Sequence, residues 1–102
     1  MAGVGKLLKQ AQKMQKRNEE AQAELANTSV EVAHGGGAVK IVINGHSEIS
    51  ALNLDPEFLK EGKDVVEATL LSALREAYAK SKELNQARMQ SATEGFGLPG
   101  IF

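Results

Sequence analysis

At Asn27 the spacing of apolar residues changes from a helical period to a period of two, so the chain on either side cannot share one secondary structure. From Lys6 to Leu25 the residues are mostly Lys, Gln, Ala, Glu and Leu, with no Gly or Pro, and the stretch reads as a helix. Its apolar positions, Leu7, Ala11, Met14, Ala21 and Leu25, recur at steps that describe the seam of a helix lying on another helix. Asn18 occupies the seam between Met14 and Ala21. It is either a polar residue that fixes register or a solvated position on a splayed helix end.

Beyond Asn27, Val30 and Val32 alternate with Ser29, Glu31 and Ala33. Val39, Ile41 and Ile43 alternate with Lys40, Val42 and Asn44, and Ile49 and Ala51 lead into Leu52 and Leu54. Three short strands follow. They are joined by His34-Gly35-Gly36-Gly37 and by Asn44-Gly45, a two-residue hairpin signal in which both central residues need positive φ. The phase slip between Ala51 and Leu52 predicts a bulge or the end of pairing. Asp55-Pro56 then starts one short helical turn carrying Phe58 and Leu59, ended by Gly62. Asp64 with Glu67 forms a capping-box-like start for a second long helix reaching about Ala92. Val66, Leu70, Leu74, Ala77 and Leu84 should lie on its buried side, with Tyr78 and Met89 as weaker members. Gly95 to Phe102 is too rich in Gly and Pro for a helix and reads as a flexible tail over residues 94–102.

The class is α+β: helix, three-stranded antiparallel meander, short helical turn, long helix. With 102 residues, three Phe, one Tyr and no Trp, residues 1–102 make a single domain with a thin core. A lone three-stranded sheet leaves edges exposed and a face to cover, and a second copy of the chain is the simplest cover.

Chemistry is mostly excluded. The absence of Cys rules out disulfides, thiol catalysis and thiolate zinc sites, and two His cannot hold zinc alone. No run approaches the roughly 18 apolar residues that span a bilayer, and the first residues lack a secretory apolar core, so the reading is a soluble intracellular protein without a membrane partner. Gly95-x-Gly97-x-x-Gly100 has the letters of a dinucleotide fingerprint but neither the preceding strand nor the following helix. Gly35 to Gly37 lacks the Gly-Lys-Ser/Thr of a phosphate loop, and Asn27-Thr28-Ser29 matters as a glycosylation acceptor only in a secreted chain. His34 and His46 have no acid, nucleophile or ligand at motif spacing and read as turn histidines in solvent; capping accounts for Asp55 and Glu57. An enzyme, a cofactor, a metal site and a small-molecule substrate are therefore not expected.

The net charge of −1 hides a segregation. Lys6, Lys9, Lys13, Lys16 and Arg17 precede Asn18 with no acid among them, and Glu19, Glu20, Glu24 and Glu31 follow. The lysines form a stripe about 15 Å long on the helix face away from the seam. Gln10, Gln12 and Gln15 flank it. Such a row suits a row of phosphates. Without an aromatic platform, a helix-turn-helix or a zinc finger, duplex contact would be phosphate-dominated and weakly sequence-specific. From the residues alone, nucleic-acid contact and a coiled-coil-like interaction module stand side by side.

Gly5-Lys-Leu-Leu-Lys-Gln-Ala-Gln-Lys-Met-Gln-Lys16, Gly-Gly-Gly-Ala-Val-Lys-Ile over 35–41, Asn44-Gly45, Leu54-Asp55-Pro56-Glu57 and Leu98-Pro99-Gly100 together resemble the YbaB/EbfC family of bacterial nucleoid-associated proteins. The resemblance covers nearly the whole chain. It implies a cytoplasmic, nucleoid-bound homodimer without cofactor, joined through the sheets, with long helices projecting as paired arms around double-stranded DNA. The positions that fit DNA contact are Lys6, Lys9, Lys13, Lys16 and Arg17, with Lys80, Lys82 and Arg88 weaker. Arg75-Glu76 departs from the Asn-Asp often found before an alanine such as Ala77. Val39, Ile41 and Ile43 are expected to hold the dimer. The alternative is a non-enzymatic scaffold that docks partners through Leu7, Met14 and Leu25 and the apolar tail of Phe96, Leu98, Ile101 and Phe102.

Overall fold

The computed structural model describes residues 2–93. Helix α1 (Ala2–Asn27) leads into strands β1 (Ser29–His34), β2 (Val39–Asn44) and β3 (Ile49–Leu54), a 3-10 turn (Phe58–Glu61) and helix α2 (Lys63–Thr93). The α+β order is the expected one. The tail over 94–102, with its Gly95 fingerprint and apolar residues, lies outside the described residues.

The strands form one antiparallel sheet in the order β1-β2-β3. Val32 pairs with Ile41 and Ile41 with Leu52, so alternation sends Val32, Val39, Ile41 and Ile43 to one face. There they are buried with Phe58 and with Ala73 and Ala77 of α2. Val39, Ile41 and Ile43, the residues expected at a dimer interface, are thus part of the core that α2 covers within one chain. Each is 0% exposed within the single chain, because the small side chains of Ala73 and Ala77 let α2 come down onto them. Alternation marks a buried face correctly but cannot say that the chain's own helix buries it.

Two turns separate what glycine supplies. Gly35, Gly36 and Gly37 have φ of 62, 69 and 93°, a run of left-handed backbone that other residues resist. In the second hairpin the positive φ falls on Ser47 (62°) rather than on Asn44-Gly45, and the loop is longer than the two-residue turn expected. Gly45 is required for another reason: a Cβ there would sit 2.5 Å from Leu25 Cδ2 and 2.9 Å from Leu25 Cβ. The pairing irregularity also moves. Val42 faces Ala51 and Ile43 faces Ile49, which leaves Ser50 as the extra residue, just before the expected slip.

The helix starts differ by small steps. Asp55 Oδ1 accepts from Glu57 N at 3.1 Å and organises the Pro56 turn. α2 begins at Lys63, with Val66 N donating to Gly62 O at 3.1 Å, so Asp64 lies inside the first turn instead of capping it. On α2, Val66, Leu70 and Leu74 pack against the core as expected, whereas Tyr78 is 47% exposed.

Candidate nucleic-acid interface

α1 has two environments. Ala21 and Leu25 are buried, Met14 and Asn18 half-buried, and every residue from Gly3 to Lys13 is exposed. The buried end lies antiparallel to the end of α2: Arg88 Nε donates to Glu24 Oε2 at 2.6 Å and Gln22 Nε2 to Met89 Sδ at 3.3 Å. At about 100° per residue, Lys6, Lys9, Lys13 and Lys16 project opposite the seam that turns Ala21 and Leu25 inward. All four are exposed, and none pairs with an acid among the described residues. Arg17 is exposed at the end of this stripe.

The other candidate cations differ. Lys80 lies 3.7 Å from Glu83, and Arg88 is held by Glu24 between the helices. Lys82 is exposed beside an open pocket of about 480 Å³ shared with Tyr78, Ser81 and the β2–β3 turn. Uncompensated positive charge is therefore concentrated on the first half of α1.

What aims α1 is a polar hub at the β2–β3 turn. Ser81, 0% exposed, donates from Oγ to Asn44 O at 2.7 Å and accepts from Ser47 N at 2.9 Å. Asn85 Nδ2 donates to Gly45 O at 3.1 Å, and Gly45 N to Leu25 O at 3.0 Å. Asn44 Nδ2 reaches Ala26 O at 3.0 Å, and His46 Nε2 donates to Gln22 O at 2.7 Å. The turn thus ties the sheet and α2 to the last turns of α1 through bonds that are part-buried around Ser81 and Asn85 and exposed at Asn44 and His46, and several such ties acting together fix an angle. Sequence reasoning misses Ser81 and Asn85. The signal present is the spacing of Ala73, Ala77, Ser81 and Asn85 in steps of one helical turn, which puts small and polar residues on the buried face.

The histidines are not free in solvent as expected. His46 belongs to this hub. His34, at the end of β1, meets the Glu76 carboxylate of α2. The unusual Arg75-Glu76 pair therefore gives α2 a polar tie to the sheet.

Among the described residues no helix is long and apolar enough to cross a membrane, and no group of three or more His, Asp or Glu could hold a metal. Comparison with known proteins agrees with the architecture. Residues 1–96 match the profile of the YbaB/EbfC DNA-binding family. A nucleoid-associated protein of Gloeobacter violaceus is 42% identical over 90% of this chain and 83% of its own length. One of Ruminiclostridium cellulolyticum is 43% identical over 97% and 88%. The crystal structure of an uncharacterized Helicobacter pylori protein superposes with a TM-score of 0.74 at 25% identity, covering 89% of this chain and 94% of that one. On the family match and these relatives, the chain belongs to the YbaB/EbfC DNA-binding family.

Proposed function

We propose that this protein binds duplex DNA in the bacterial nucleoid as a homodimer, through phosphate contacts from α1 and with low sequence specificity. The observation that carries the reading is the exposed row of Lys6, Lys9, Lys13 and Lys16, which has no acidic partner among the described residues and stands on a helix anchored only at its far end. Phosphates supply the missing counter-charge, and a stiff rod presents the ammonium groups in line. Arg17 extends the row, Lys82 adds an exposed cation, and Lys80 and Arg88 contribute less because Glu83 and Glu24 already hold them. The relatives' names, nucleoid-associated proteins, support a location at the nucleoid.

The dimer has a candidate surface. α2 packs over β1 and β2, leaving Ile49 and Leu52 of β3 38% and 51% exposed and Leu71 and Tyr78 of α2 48% and 47% exposed. Apolar side chains left open beside a small core are what a second copy covers.

The test is fluorescence anisotropy on random-sequence duplex across a salt series. If a dimer engages about half of its α1 cations, the log-log slope is roughly −4 to −5. A flat salt response refutes phosphate binding. The scaffold reading is favoured by one observation, the exposure of Leu7 and Leu8 (67% and 59%) on the uncovered seam.

A further inference from the structure

The cleft of about 480 Å³ between the middle of α2 and the β2–β3 turn has a chemistry that the lysine row does not explain. Tyr78, Ser81, Lys82, Asn85 and Gln86 line its α2 side, and the turn closes the other. Steps of three and four residues put these side chains on one stripe of the helix, so they meet at one opening. The inner wall is fixed: Ser81 and Gly45 are buried, and the Ser81 hydroxyl is spent on Asn44 O and Ser47 N.

The lining is one-sided in charge. No carboxylate belongs to it among the described residues, although 13 of the 102 residues are Asp or Glu. Clefts nearer α1 differ, because one sets Glu24 with Arg88 and another sets Glu20 with Arg17 and Arg88. Here Tyr78, Lys82 and Gln86 have no hydrogen-bond or ionic partner among the described residues. Asn85 spends one of its two amide hydrogens on Gly45 O, at 3.1 Å, and keeps the other. One full cation and several neutral donors therefore converge with no anion to answer them. A carboxylate accepts hydrogen bonds close to its own plane, whereas a phosphate presents three strong acceptor oxygens in different directions. Donors arriving from separate positions on a helix suit the second.

We propose that this cleft binds a single phosphate group, with Lys82 as its counter-ion and the Asn85 and Gln86 amides as orienting donors. The phosphate is not one of those that the lysine row of α1 would meet. The turn bonds α1 at Gln22, Leu25 and Ala26, and Gln22 lies about 120 to 180° around the helix from Lys6, Lys9, Lys13 and Lys16. A straight duplex lying on those lysines does not also fill the cleft. The group comes from a small phosphate ester or from a second stretch of nucleic acid, and from either source it lands on the turn that aims α1.

Titration of the full-length protein with sodium phosphate at constant ionic strength, without DNA and followed by amide NMR, tests the site separately from duplex binding. Saturating shifts are expected at Ser47, Lys82 and Gln86, and smaller ones over residues 6–16. Lys82→Gln should raise the apparent Kd at least about tenfold and Gln86→Ala about threefold, as charge-assisted and neutral hydrogen bonds are lost. Lys13→Gln should leave it within about twofold, because that side chain lies on the other face of α1. Lys82, Gln86 and Lys13 are all exposed, so each variant keeps the fold. Absence of saturating shifts at the cleft overturns the site, and so does their reproduction by sodium acetate or chloride at the same ionic strength. Equal weakening by Lys82→Gln and Lys13→Gln overturns it as well. Repeating the titration with adenosine monophosphate, with and without saturating duplex, separates the sources: binding that duplex leaves unchanged assigns the cleft to a small ester, and displacement by duplex assigns it to nucleic acid.

Discussion

The two halves of α1 share one apolar seam and one helical period, and they differ in almost everything else. The half ending at Asn27 has Ala21 and Leu25 under α2, Glu24 bound to Arg88, and its last turns tied to the β2–β3 loop. The half beginning at Ala2 extends away from that anchorage, with its lysines exposed and without acid. The sign of the charge follows the anchorage: acids appear where the helix enters the fold and cations where it leaves. A helix built this way separates holding from touching. The anchored half fixes direction and the outer half is free to meet a polyanion, and each half can be disturbed without the other.

The largest effect should come from the anchored half. Leu25 is 2% exposed and packs on Gly45, so Leu25→Ala should cost about 2 to 5 kcal/mol, depending on how far the turn collapses into the space. Urea unfolding followed by circular dichroism measures it as a lower midpoint at constant slope. A change under about 0.5 kcal/mol, the range of ordinary surface substitutions, would remove the distinction between the halves.

The outer half is probed by charge. Lys9→Glu with Lys13→Glu and Lys16→Glu should lower affinity for random duplex on the order of 100-fold and flatten the salt slope by about one for each phosphate no longer neutralised. The same variant should unfold within about 0.5 kcal/mol of the parent, since all three side chains are exposed. Anisotropy and unfolding on one preparation separate the outcomes. Unchanged affinity would move function to the seam or to a partner protein.

How much of this is legible in the sequence depends on whether a feature is local. The lysine stripe needs only a helix and a period, and both are written in the Gly- and Pro-free run from Lys6 to Leu25. The strands are visible through alternation, which marks a face. Alternation cannot name what covers that face, and so Val39, Ile41 and Ile43 look open to a partner when α2 already covers them. Gly45 is recognisable as a turn residue, but its purpose is a close approach to Leu25, twenty positions away in sequence, and spacing rules do not reach that far. The hub of Ser81, Asn85 and His46 is unreadable for the same reason. Its members come from separate elements and meet only once α1, the sheet and α2 are assembled.

Arg88 sharpens the comparison at its finest scale, because by sequence it belongs with the DNA-contacting cations and by structure it belongs to the anchored half. Its Nε lies 2.6 Å from Glu24 Oε2, with side-chain exposures of 29% and 58% for the two residues. A partly exposed pair of this kind contributes about 0.2 to 1 kcal/mol. Arg88→Ala should therefore lower stability by no more than that, leave the salt slope for duplex binding unchanged, and lower affinity less than a single substitution such as Lys13→Ala. The side chain is engaged across the helix pair and has little charge left to offer a phosphate. If Arg88→Ala instead flattens the slope by about one, the guanidinium exchanges Glu24 for a phosphate when DNA arrives. The boundary between the anchored and contacting parts would then lie on α2 as well as within α1.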